Sequence, residues 1–402
     1  GIHVQGYVAL IAEGRFREAY DLIRQRMPFP GVCGRVCHHP CETACRRGEK
    51  DSPVAIEALK RAAADWVEAH PESEPAPWAT PKLVETPLVG KKIAVVGAGP
   101  AGLTAARELA TLGASCDILE ALPVAGGMMA VGIPRYRLPA DALQRDIDAI
   151  VSMPGVTLQL DTPVDLSDDK TDGMTLAGLR AGYDAVLLST GTHDSVRMRI
   201  PGEELGGVLH GAEYLRQLCL AQLGAEGVEL PKIGARVAVI GGGNVAIDSA
   251  MTARRIGAQE VTILYRRTRA EMPANAWEIE EAEEEGVQFQ FLATPIEVIG
   301  RGDTIAALRC QRMQLGEPDE SGRRRPVPIE GDIFDMPVDT VIMAIAQTLE
   351  AAIAGVERSR RSWIEADPVT LQTNLPGVFA GGDAVSGPAS VVEAVGQAHR
   401  AV

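Results

Sequence analysis

With 402 residues the chain is long enough for two or three domains, and its 46% apolar and 23% charged residues are ordinary globular values. A formal net charge of −15 argues against nucleic acid or an anionic membrane surface as a partner, because both would repel it. No apolar run approaches the roughly 20 residues of a membrane-spanning helix, and no signal-peptide pattern opens the chain, which begins at Gly1 and leaves room for an upstream extension.

Residues 2–26 carry helical spacing through Tyr7, Leu10, Ile11, Phe16, Ala19, Tyr20 and Ile23, and Gly14 marks a break between two helices. Four of the seven cysteines follow, Cys33, Cys37, Cys41 and Cys45, while Cys116, Cys219 and Cys310 stand singly. That distribution predicts a reduced, cytoplasmic compartment and a local metal site, not a disulfide framework. Gly34 and Pro40 interrupt any single helix through the cysteines, so the segment can wrap a centre. Four thiolates suit an iron-sulfur cluster or zinc, and His38 and His39 keep zinc in play; the alternative is four unliganded buried thiols. Residues 79–90, within a proline-rich polar stretch, read as a linker.

Residues 93–127 read as a strand, a glycine turn, a helix and a second strand ending in an acid. Gly97, Gly99 and Gly102 give the spacing in which the first glycine makes a tight turn, the second admits a pyrophosphate and the third lets helix pack on strand. The phosphates then meet a helix N-terminus, and Glu120 closes the second strand where an acid binds ribose hydroxyls.

A second copy of this plan occupies residues 236–267, with Gly241, Gly243 and Ala246 as its turn. Its second strand ends not in an acid but in Tyr265, Arg266 and Arg267, and paired guanidiniums there favour a 2′-phosphate, hence NADP over NAD. Residues 278–286 read as a solvated helix face without chemistry, and strands from 287 to 343 are expected to complete this fold.

The stretches GYVALIAEGRFREAYDLIR, CGRVC, CETACRRG and VAIEALKRAAADW resemble the N-terminal helical domain of the glutamate synthase small-subunit family, shared with dihydropyrimidine dehydrogenase and the transhydrogenase Nfn. The resemblance implies 4Fe-4S clusters in that domain, but no cysteine precedes Cys33, and Lys60 occupies the place of a Gln or Glu ligand. At most one cluster, on Cys33, Cys37, Cys41 and Cys45, is therefore expected. In AGGMMAVGIPRYRLP the resemblance assigns Gly126, Gly127, Met128 and Arg137 to the flavin, with Arg135 and Arg137 open to a plain solvating role. It adds Pro100 and Ala101 in the first turn, Thr190 and Gly191 after YDAVLLS, and Gly382, Asp383, Ser390 and Val391 near the C-terminal end. Asn244 and Val245 join the nicotinamide nucleotide set, and Ala346 replaces a glycine of the family.

The resulting expectation is an α/β flavoprotein with two Rossmann-like folds and a helical cap: residues 1–78 helical, 91–200 FAD-binding, 201–346 NAD(P)-binding, and 347–402 FAD-binding again. The resemblance implies hydride transfer between nicotinamide and FAD, and single-electron exchange with an iron-sulfur partner subunit. No side chain is expected to act as acid or base. The alternatives are a disulfide reductase, disfavoured because the later cysteines are unpaired in sequence, and a docking subunit whose flavin is structural.

Overall fold

A computed structural model describes residues 1–79, 86–167, 173–319, 322–349 and 352–402, so residues 80–85 of the expected linker lie outside the described residues. The chain divides into two compact units, one of Gly1–Ala130, Arg135–Thr192 and Leu349–Val402, the other of Val131–Pro134 and His193–Thr348.

The first unit opens with helices α1 (Val4–Ala12) and α2 (Phe16–Arg24), separated by Gly14 at φ +76°. Short helices α3 (Pro30–Cys33) and α4 (Pro40–Thr43) carry the cysteines, and the chain between them bends at His39, whose φ of +38° is left-handed. Helix α5 (Ile56–Ala69) packs on α2 and α3. It comes so close that a Cβ on Gly34 would lie 2.7 Å from the Arg61 Cα, which is why a glycine stands there.

Then come β1 (Lys92–Val96), α6 (Pro100–Thr111), β2 (Ser115–Leu119), α7 (Met128–Val131), α8 (Ala140–Val151), β3 (Val156–Gln159), α9 (Leu176–Gly182) and β4 (Ala185–Leu188). Ala94, Val95, Ile118 and Leu188 are fully buried, the two-sided burial that an apolar parallel strand requires. Asp146 on α8 accepts the Val32 N–H at 3.0 Å, and Arg107 on α6 donates to the Arg24 carbonyl at 2.7 Å, so the helices sit directly on this fold. Burial pushes the Asp146 carboxyl up to about 7.

The second unit contains β5 (Asp194–Ser195), β6 (Val208–His210), α10 (Gly211–Gln222), β7 (Arg236–Ile240), α11 (Asn244–Arg255), β8 (Glu260–Tyr265), α12 (Ala276–Glu284) and β9 (Gln288–Phe291). It continues with β10 (Ala293–Arg301), β11 (Thr304–Pro318), β12 (Arg324–Pro337), β13 (Thr340–Met343) and β14 (Gln347–Thr348). The chain then returns to the first unit with β15 (Val378–Ala380), α13 (Asp383–Ser386) and α14 (Val391–Ala401).

Each unit holds a five-stranded parallel sheet, ordered β15–β4–β1–β2–β3 in the first and β6–β13–β7–β8–β9 in the second. Residues 287–343 all fall within this second unit but serve two sheets. Of their strands β9 and β13 join the parallel sheet, while β10, β11 and β12 form a separate antiparallel sheet. One correction concerns 278–286: Glu278 is 2% exposed, because it closes a capping box with Asn275 at the start of α12.

Candidate dinucleotide and cysteine sites

At the end of β1 the Gly97 N–H donates to the Leu119 carbonyl at 2.8 Å, and φ is +102°. A Cβ on Gly97 would lie 2.6 Å from the Ser189 carbonyl oxygen, and one on Gly102 would lie 2.1 Å from the Gly97 oxygen, so both positions exclude a side chain. Gly99 differs: the nearest atom to its would-be Cβ is the Gly127 Cα at 3.9 Å, which leaves an open face at the start of α6. Gly99 caps that helix with no side-chain bond, and Pro100 supplies the first helical position without an N–H. Ala101 is buried behind them.

Gly126 and Gly127 are brought against this turn, since the Gly126 N–H donates to the Ala98 carbonyl at 2.8 Å. Met128 follows at the start of α7, half-buried. Glu120 is 7% exposed, with Oε2 accepting from Ala98 N–H at 2.7 Å and Oε1 from Leu122 N–H at 2.9 Å. Burial raises its carboxyl above the usual range, against those two donors. Gly191 has φ +68°, and beside it the Thr190 hydroxyl oxygen is buried without a hydrogen-bond partner among the described residues. Arg135 and Arg137 are half-buried and engaged with the protein.

The C-terminal motif closes on the same place, because a Cβ on Gly382 would lie 3.0 Å from the Ala101 Cβ. The Gly382 N–H donates to the Gln397 Oε1 at 2.8 Å, and Asp383 accepts from the Ala389 N–H at 3.3 Å. Burial pushes the Asp383 carboxyl up to about 6. Ser390 caps α14 in a capping box with Glu393, and Val391 begins the helix. The open Gly99 face, the uncapped α6 and the orphaned Thr190 oxygen fit a bound dinucleotide. Sequence reasoning missed Ser189, whose hydroxyl donates to the Val96 carbonyl at 2.9 Å behind the turn.

The second fold repeats this construction. Gly241 has φ +144°, and a Cβ there would lie 2.2 Å from the Ala344 carbonyl oxygen. Gly243 caps α11 without a side-chain bond, with only the Pro273 Cγ at 3.8 Å from its would-be Cβ. Asn244 and Val245 form the first turn of α11, and Ala246 is fully buried. Ala346, in contrast, is exposed, and its carbonyl accepts the Val196 N–H at 3.0 Å. The two arginines after Tyr265 do not stand as a pair. Arg266 is exposed, whereas Arg267 is 5% exposed and donates to Asp319 Oδ2 at 2.6 Å.

In the helical segment Cys33 and Cys37 are buried, Cys41 and Cys45 half-buried, and all seven cysteines are free thiols. Burial raises the Cys37 and Cys41 thiols, opposed by the Lys60 ammonium and by amide donors, the His39 N–H at 3.3 Å from Cys37 Sγ and the N–H of Cys41 itself. Cys45 alone is lowered, chiefly by the N–H groups of Val54 and Arg47. Cys33 follows the first two, since burial pushes its thiol up to about 12 and the Lys60 ammonium is its main opposing influence. Lys60 is 3% exposed and donates to the Cys33 carbonyl at 3.3 Å. The donor chemistry of Cys37, Cys41 and Cys45 fits thiolate ligation, although among the described residues no three Cys, His, Asp or Glu side chains are gathered as a metal site. Cys116, Cys219 and Cys310 lie buried on β2, α10 and β11, in no disulfide. Among the described residues no helix is long and apolar enough to cross a membrane.

Comparison with known proteins agrees with this geometry. The family model described as pyridine nucleotide-disulphide oxidoreductase matches residues 91–398, and that described as dihydropyrimidine dehydrogenase domain II, 4Fe-4S cluster, matches residues 1–72. The NADP(+)-dependent formate dehydrogenase subunit beta of Moorella thermoacetica is 46% identical over all of this chain, which spans 57% of that protein's length. The glutamate synthase [NADPH] small chain of Escherichia coli is 34% identical over 99% of this chain and 84% of its own. Among solved structures, FprA from Mycobacterium tuberculosis in complex with NADPH superposes with TM-score 0.66 at 21% identity, over 77% of this chain and 84% of its own.

Proposed function

We propose, proceeding from the fact that this chain belongs to the pyridine nucleotide-disulphide oxidoreductase family and within it to the glutamate synthase small-chain type, that its first fold holds FAD and its second fold NADP(H). The family makes it an FAD- and nicotinamide-dependent oxidoreductase with an N-terminal segment of 4Fe-4S type. The observation that carries the assignment of the folds is their common strand order with opposite charge at the end of the second strand, Glu120 in one and Arg266 in the other.

When bound, FAD supplies acceptance of a hydride and release of single electrons. The chain's own residues bind and orient it. Gly97, Gly99 and Gly102 let backbone approach the pyrophosphate, and the uncapped start of α6 offers N–H donors to it. Glu120 would take the ribose hydroxyls, and Thr190 would give its orphaned oxygen a partner. Gly126, Gly127, Met128 and Gly191 wall the same cradle, Gly382 and Asp383 close it, and the start of α14 at Ser390 and Val391 offers positive dipole potential to the flavin. In the second fold Gly241, Gly243, Asn244, Val245 and Ala246 would cradle the nicotinamide nucleotide. Cys33, Cys37, Cys41 and Cys45 would hold the metal centre in the helical segment.

The electron acceptor in this proposal is an iron-sulfur protein subunit, as befits a chain whose formate dehydrogenase relative is itself a subunit, and the compartment is the reducing cytoplasm, which suits seven free thiols. The test is turnover of the purified chain with and without its native partners. NADPH oxidation with artificial dyes alone, and with a physiological acceptor only in the complex, is expected. Full-rate turnover of a small metabolite by the isolated chain would contradict the partner assignment.

A further inference from the structure

Two arginines with different environments follow strand β8 directly, and the difference involves a hairpin that no motif covers. Arg267 donates through Nη2 to Asp319 Oδ2 at 2.6 Å and through Nε to the Arg324 carbonyl at 2.7 Å, while its own carbonyl accepts the Leu292 N–H at 3.1 Å. Asp319 lies just past the end of β11 and Arg324 begins β12, so one buried guanidinium grips both strands of the hairpin tip and fixes it to the end of β8. Freeing Arg267 for any ligand would break a largely desolvated ion pair, which is strongly unfavourable.

The same grip brings a second cation to the turn after β8. Arg324 is exposed, and its charge helps hold the Glu271 carboxyl below the usual range, behind the Thr268 hydrogen bond. Glu271 belongs to that turn, since Tyr265 Oη donates to its carbonyl at 2.7 Å. Arg324 Nε and Nη2 donate to the Gly316 and Leu315 carbonyls at 3.3 and 3.1 Å, which steadies the head and leaves the Nη1 donors unspent. Arg266, exposed one residue before Arg267, has no partner among the described residues.

We propose that the 2′-phosphate site is built from two elements, Arg266 of the strand and Arg324 of the hairpin, and that Arg267 is the positioning residue that holds the hairpin there rather than a phosphate ligand. This rests on the reading of the second fold as the NADP(H) site. Two guanidiniums from separate segments approach a tetrahedral phosphate from different sides, whereas Arg267 is buried with its guanidinium spent on Asp319 and the Arg324 carbonyl.

Calorimetric binding of adenosine 2′,5′-bisphosphate and of 5′-AMP to the full chain tests this without turnover. Asp319→Asn removes no cation from the site, yet it should weaken the bisphosphate about tenfold and leave 5′-AMP within about twofold, because the hairpin is released. Were Arg267 a ligand, losing Asp319 would free it, so unchanged or tighter bisphosphate binding overturns the proposal. Arg324→Ala lies on an exposed residue and should show the same selective loss; no loss there overturns it as well. Arg266→Ala tests the underlying reading separately, since an unchanged preference for the bisphosphate in that variant means that β8 does not end at a 2′-phosphate site at all.

Discussion

The two dinucleotide folds share a strand order, a glycine turn at φ above +100°, and a helix whose first turn no side chain caps. They part at two positions. The third small residue is Gly102 in one and Ala246 in the other, and the second strand ends in buried Glu120 in one and exposed Arg266 in the other. The first difference follows from packing: at Gly102 the turn carbonyl and Ser189 close on the helix, while the Ala246 methyl is tolerated, 3.4 Å from where a Cβ of Gly241 would stand. On the proposed assignment the second would set ligand choice, because a carboxylate recognises hydroxyls and repels a phosphate that a guanidinium binds. One scaffold would then serve two cofactors, with selectivity placed after the second strand.

The largest expected effect comes from erasing the packing difference. Gly102→Ala should cost about 1–3 kcal/mol by overpacking and abolish flavin retention, whereas Ala246→Gly should cost roughly 0.5–1 kcal/mol and keep nucleotide binding. Thermal melts and acid release of FAD read both; a tolerated Gly102→Ala would mean that the turn is looser than the 2.1 Å approach implies.

Erasing the charge difference should be nearly as large but confined to one ligand. Arg266→Ala should weaken NADPH by about 1.5–3 kcal/mol and NADH hardly at all, as a lost charge-assisted bond does. Equal losses in calorimetry would remove the basis for the NADP assignment.

The third effect concerns pH, is confined to part of the pH range and belongs to the first fold alone. The folded pKa of Asp383, about 6, lies above its unfolded value of 3.8, so the ionised form penalises the flavin-free protein above pH 6 and the penalty disappears as pH falls through 3.8. Asp383→Asn should therefore be more stable than wild type by ~1–3 kcal/mol at pH 7–8, with the gap closing towards pH 4. Denaturant melts giving a pH-independent gap would show that Asp383 is not desolvated.

These contrasts also mark what the sequence discloses. Glycine spacing and Glu120 are legible because a βαβ turn is local: a few adjacent residues set the positive φ and the helix start. The break of the cysteine segment at Pro40 is legible for the same reason. Arg267 is not, since its partners Asp319 and Arg324 lie more than fifty residues on, in a hairpin whose pairing no local pattern announces. Glu278 was equally opaque, because a charge run shows composition but not which carboxylate turns inward to cap a helix. Nor does any motif foretell Asp146, which receives the Val32 N–H and so ties the cysteine segment to the first fold.

The central claim, that NADP(H) in the second fold exchanges a hydride with FAD in the first, is tested most directly by mixing the flavin-loaded chain with NADPH and, separately, NADH under anaerobic conditions while following the flavin absorbance. The account predicts full bleaching by one equivalent of NADPH, and slower or higher-concentration bleaching by NADH. A chain that retains FAD but is bleached by neither nucleotide would contradict it.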